Sequence, residues 1–146
     1  MNRIIIISTI LLCIPLVAMS KAKDMAEMQE MMAELQRSHI EGNVPSAQNF
    51  DSYLSRDLKS YFGAKNKEIE VRYELLRNGP TQSGVSYPKY YLWVEVRLGT
   101  RVLKQGAARL AAIDKVRFEV FSFLSKAEIQ AKPEEAAKLF PRMLLI

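Results

Sequence analysis

Few residues in this chain have types and spacings that could do chemistry. Met25, Met28 and Met31 recur every three residues, with Met32 beside them. Thioethers are soft ligands that suit Cu(I) and need no deprotonation, although methionines at helical spacing also serve as flexible fillers of an apolar face. Asp114 stands between "AARLAAI" and a basic turn, which makes it the acid with the most apolar flanks. A buried acid in a small open-mouthed domain can act as a general base, and the same residue at a hairpin simply favours the turn. Tyr87, Lys89, Tyr91 and Trp93 fall at even offsets, so an extended strand puts them on one side. Rings flanked by charge on a wet sheet face suit recognition, because rigid side chains give contact area at low entropy cost.

Many other chemistries are set aside by composition. His39 is the single histidine and Cys13 the single cysteine. A structural zinc site needs four such ligands, and a catalytic Cys-His or Ser-His-Asp set would rest on His39 alone. His39 continues an apolar stripe, which assigns it to helix packing. "FGAKNK" lacks the glycine spacing and the Lys-Ser/Thr ending of a phosphate loop, and "GVSYP" lacks the second glycine of a nucleophile elbow. Ser86-Tyr87-Pro88-Lys89 matches S-x-x-K, but that chemistry needs the lysine one helical turn after the serine, and Pro88 pushes Tyr87 toward extended geometry. No cofactor is expected.

The N-terminus reads as an export signal. Arg3 precedes an apolar run to Val17, and Ala18-Met19-Ser20 offers small residues at a cleavage position before Lys21. The run is about 16 residues, short of the roughly 20 of a membrane-spanning helix, and Pro15 interrupts it. Residues 1–20 are therefore expected to be a signal peptide, 21–45 a helical segment and 46–146 a single α+β domain. The expected location is exported, periplasmic or secreted, with membrane anchoring if the segment stays uncleaved. Cleavage removes Cys13, so the remaining chain draws no stability from disulfides, and its core must suffice; 49% hydrophobic residues make that feasible. The formal charge of +5 is spread with both signs interspersed. Lys65 to Lys67, Arg101 with Lys104, and Lys115 with Arg117 look like solvated turns rather than a nucleic-acid stripe. Contact with an anionic membrane surface is a use open to such charge in an exported protein.

Hydrophobic periodicity supplies the elements that must position these residues. Met25, Met28, Met32, Leu35 and His39 recur at three-four spacing and predict a helix over 24–40, stopped by Gly42 and Pro45. Phe50, Tyr53, Leu54, Leu58, Tyr61 and Phe62 form the apolar face of a second helix over 46–62, with Asp51, Arg56, Asp57 and Lys59 away from it. The period then falls to two. Ile69, Val71, Tyr73 and Leu75 mark one strand; Leu92, Val94, Val96 and Leu98 mark a second, facing the core. "RVLKQGAARLAAID" returns as a third strand, although its alanines also suit a helix, and "KVRFEVFSFL" is a fourth. Ser125 and Glu128 form a capping box for a short helix, and Pro133 opens another that ends at Phe140. About twelve residues, 78–89, link the first two strands, where a hairpin needs roughly two to five; such a link is functional or loose. Met143 to Ile146 form an apolar tail that packs on its own domain or adds as a strand to a partner.

Two N-terminal helices, four consecutive strands and short C-terminal helices give an α+β fold. The strands form a curved antiparallel sheet packed on the long second helix. From Ser46 to about Leu124 this element order resembles the cystatin-like and NTF2-like folds, and the lack of extra helices between helix and sheet leans it toward the cystatin-like side. The resemblance rests on order alone and carries over no site residues. The expected function is an exported, non-catalytic domain that binds a protein or small ligand in the cell envelope at Tyr87, Lys89, Tyr91 and Trp93, with the 78–89 link as rim. The alternatives are a small cavity-containing enzyme or ligand carrier using Asp114, and an anchored accessory subunit of an envelope assembly.

Overall fold

A computed structural model describes residues 15–63, 68–82 and 86–140, with side chains from Lys21 onward. The start of the expected leader, the basic spot at 65–67 and the apolar tail at 143–146 lie outside the described residues. The elements run α1 (Pro15–Asn43), α2 (Ala47–Gly63), β1 (Glu70–Leu75), β2 (Lys89–Leu98), β3 (Arg101–Ile113), β4 (Arg117–Ser125), α3 (Lys126–Ala131) and α4 (Pro133–Leu139). The chain divides into two units, Met1–Leu35 and Gln36–Ile146, so α1 begins in the first and ends in the second. Among the described residues no helix is long and apolar enough to cross a membrane.

The α+β arrangement holds: one antiparallel meander in the order β1-β2-β3-β4, with α2 across one face. Its core forms because two periodicities meet. Leu54 and Leu58 of α2 are sealed against Leu92, Val94, Val96, Ala108, Leu110, Ala112 and Phe118. Phe50 meets Tyr90 and Phe118 edge to face, with centroids 5.2 and 5.1 Å apart, and Phe62 meets Phe123 at 5.0 Å. Such pairs add to area burial through the ring quadrupoles.

The polar residues of α2 were expected to point away, and Asp57 does not. Its Oδ2 accepts the backbone N–H of Phe118 at 2.6 Å, while Arg56 donates to the same carboxylate and to the Val116 carbonyl at 2.6 Å. Near the other edge of the sheet the Tyr73 hydroxyl donates to Asp51 at 2.6 Å. Two acids thus tie α2 to β1 and β4, which fixes its crossing of the sheet better than non-directional burial can.

β3 resolves as a strand despite its alanines. Gly106, Ala107, Ala108, Leu110, Ala111, Ala112 and Ile113 are all buried, and Arg109 alone among them is half-exposed. A strand covered on both faces loses the alternation that marks a strand with one wet face. Two bulges interrupt the ladders, between Val96 and Arg97 and between Arg109 and Leu110. Leu98, expected in the core, lies past the first bulge and is exposed. The capping box at Ser125 is complete: its hydroxyl accepts from the Glu128 N–H, and the Glu128 carboxylate takes the Ser125 N–H at 2.8 Å.

Gly106 pairs with Ser125 where β4 gives way to α3, and the two backbones come so close that a Cβ there would collide with the Leu124 carbonyl oxygen and the Ser125 Cα. Backbone atoms cannot swing aside as a side-chain tip can. Gly106→Ala should therefore destabilise the fold by about 3 kcal/mol, read as a lowered urea midpoint at unchanged m-value. A second expectation concerns alkaline pH. Burial lifts the Tyr90 phenol to about 12, and burial together with Asp51 lifts Tyr73 to about 12. Both folded-state values exceed the ordinary 10, so the stability they contribute is complete below pH 10 and is lost as pH rises from about 10 to about 12. Tyr90→Phe should lose less stability than the wild type across that window in urea titrations.

Candidate functional site

The strand β2 alternates as its sequence predicts. Leu92, Val94 and Val96 are buried toward α2, and Lys89, Tyr91, Trp93, Glu95 and Arg97 are half-buried on the opposite face. Directly opposed residues of an antiparallel sheet share a face, so the ladders extend this surface into rows. Tyr91 stands beside Arg109, and Arg109 beside Ser122. Trp93 lies between Glu74 and Ala107, and Ala107 is opposite Leu124. Lys89 pairs with Ala111, and Ala111 with the exposed Glu119.

This outer face is not wholly wet. Ala107, Ala111 and Ile113 are buried on it, and so are Ala136 and Phe140 of the C-terminal segment, with Phe140 only 1% exposed. The Phe140 ring meets Tyr91 at 6.1 Å between centroids and 70°. Leu124 lines a small cavity of about 160 Å³ with Glu128, Lys132, Glu135 and Ala136. Part of the face thus holds a second, smaller apolar contact, and the aromatic strip remains as its half-covered border. Tyr87, 42% exposed, lies beyond the strand and contacts His39 edge-on at 6.3 Å.

The link before β2 is tighter than its length implies. Thr81 and Lys89 exchange two backbone hydrogen bonds at 2.8 and 2.9 Å, the Leu76 N–H donates to the Tyr91 carbonyl, and Pro88 is buried with its carbonyl accepting from Ala112. Thr81 and Lys89 form a bridge that prolongs the β1–β2 ladder; residues 83–85 lie outside the described residues.

Charge on the outer face separates into a neutralised and an unneutralised part. Arg72 Nε is 2.8 Å from Glu70 Oε1, and Arg97 Nε is 2.9 Å from Glu95 Oε1. The Arg72 guanidinium holds the Glu70 carboxyl below its usual range. Toward the other end of β2, Lys89 and Arg109 have no acid partner among the described residues. The Arg109 Nε and the neighbouring Ser122 Oγ are both sealed from solvent and lack a hydrogen-bond partner. Sealed polar atoms without partners are costly to a fold.

The other sequence-selected residues fall elsewhere. Asp114 is exposed in the β3–β4 turn with φ 55°, next to Lys115 at φ 61°. It sits in a turn conformation that aspartate tolerates well, not in a buried pocket. Asn43 holds that turn: its carbonyl accepts the Lys115 N–H at 2.9 Å and its Oδ1 the Asp114 N–H at 3.3 Å. Asn43 also donates to the ring and carbonyl of His39, both at 2.8 Å. Met25, Met28 and Met31 are exposed rather than packed. Sequence reasoning passed over Arg109, although a lone cation inside "GAARLAAI" was a visible signal. Ser122 and Phe140 carried none, because their placement depends on the second bulge and on where the C-terminal helices come to rest.

No protein-family model matches the chain, and neither a curated protein nor a solved structure matches it significantly. The class defined here is therefore structural, an α+β domain with an antiparallel meander covered on both faces.

If Arg109 is kept for binding, its removal should not harm the fold. Arg109→Met retains the stem that packs on the sheet and deletes the sealed donor, so stability should be unchanged or rise by up to about 1 kcal/mol, measured by urea unfolding. A loss well above that would make Arg109 a structural residue.

Proposed function

We propose that the protein is an exported, non-catalytic binding domain of the cell envelope, and that it takes its protein or small ligand on the outer sheet face around Tyr87, Lys89, Tyr91, Trp93 and Arg109. The observation that supports this most directly is the half-exposed Arg109, which has no acid partner among the described residues, on the same strip as the half-buried Tyr91 and Trp93 rings. A ligand carboxylate or similar anion would meet the half-exposed Arg109 side chain and lie near Lys89, while the rings supply apolar contact. Export rests on the leader pattern of residues 1–20 and on a remaining chain that needs no cysteine.

Affinity capture from an envelope extract of the source cells, followed by mass spectrometry, tests the reading. Wild type and Glu119→Gln should retain the same partners. Trp93→Ala and Arg109→Met, checked for an unchanged unfolding midpoint, should lose them, with about a tenfold or greater drop in affinity for each. Equal capture by all four proteins would remove the outer face as the site.

A further inference from the structure

The first unit carries an exposed apolar seam of its own. Met25, Met28, Met32 and Leu35 of α1 are 62%, 65%, 46% and 59% exposed. Their spacing of three, four and three residues is a heptad pattern: Met25 and Met32 take the first position, Met28 and Leu35 the fourth, and His39 continues the register. A repeat averaging 3.5 residues keeps one stripe facing a partner helix along a left-handed supercoil. A helix packing on a sheet carries a broader face with a period of 3.6, as α2 does.

The flanking positions say what the partner is. They hold Gln29 and Gln36 on one side and Asp24, Met31 and Ser38 on the other. These positions set partner choice through charge, and here only Asp24 bears one. Glu27, Glu30, Glu34, Lys23 and Arg37 lie on the back of the helix, where Lys23 and Glu27 approach to 3.9 Å. Two identical helices therefore meet without like-charge repulsion along the seam, and a strongly charged partner would find little to pair with.

We infer that α1 is a homotypic association helix that pairs with α1 of a second copy through Met25, Met28, Met32 and Leu35. The pairing survives removal of the leader, because the seam begins after Ser20. Two heptads of mainly methionine make a short, adaptable contact, so the association is reversible and concentration-dependent.

Sedimentation equilibrium of the intact chain in mild detergent, carrying Cys13→Ser so that disulfides play no part, tests this. The weight-average mass should rise toward that of two chains between about 5 and 500 µM, the range expected of a modest interface. Met28→Glu with Leu35→Glu places charges in the seam and should weaken association about a hundredfold or more, leaving a monomer throughout. Glu30→Gln, on the back of the helix, should associate as the wild type does. Because the seam is exposed, the double variant should keep the wild-type urea midpoint at concentrations low enough for both to be monomeric, so loss of association would not reflect unfolding. A wild type that stays monomeric across the range, or a double variant that associates equally well, would overturn the inference.

Discussion

The structure turns on β3 being covered on both of its faces. Ala108, Leu110 and Ala112 lie under α2, and Ala107, Ala111 and Ile113 are sealed on the opposite side. A strand in this position must be apolar in both registers, and small residues let covering segments approach closely. The alanine run is the consequence. Gly106 carries the same logic further, since the return of β4 at Leu124 and Ser125 leaves no room for even a methyl group.

This two-sided burial determines what kind of site the fold can offer. A bare outer face would be a broad aromatic sheet. With Phe140 and Ala136 buried there, what remains is a narrower strip on β2 bounded by rings, and Arg109 is the one residue of the buried β3 run to keep a polar group on it. Two outer ion pairs, Glu70 with Arg72 and Glu95 with Arg97, close among themselves, while Lys89 and Arg109 lie toward the other end of β2. The half-buried rings and the cations without acid partners are thus gathered where the sheet is least self-satisfied. The helices divide by the same criterion. α2 has a broad apolar face and is anchored by Asp51 and Asp57. α1 has a narrow methionine seam that stays exposed over the first unit.

Much of the fold was legible because most elements keep a clean period. The alternation of Leu92, Val94 and Val96 against Tyr91 and Trp93, the face of α2, and the Ser125–Glu128 capping box all survive intact. The ambiguous element was β3, and its ambiguity was informative: the missing alternation reported a second cover that strand propensity alone could not locate. Misjudged details cluster where register slips. Leu98 lies past one bulge, and Ser122 pairs with Arg109 only because Phe121 is the extra residue at the other. Asp57 was assigned outward by helical spacing, yet β4 passes close enough to offer it a backbone N–H. The bridge within the long link at 78–89 was likewise beyond reach, since the hydrogen bonds between Thr81 and Lys89 are invisible to composition.

The sequence by itself determined the local order: where helices and strands fall, which side of each strand is apolar, which chemistries the residue inventory denies, and the 3.5-residue seam on α1. These follow from periodicity and from side-chain identity, which act over a few residues. Tertiary structure alone decided which faces would be covered twice, which polar atoms, Arg109 Nε and Ser122 Oγ among them, would be sealed without a hydrogen bond, and which apolar stripe would stay exposed. Those outcomes depend on long-range register and on competition among segments for the same surface, and neighbouring residues do not encode that competition.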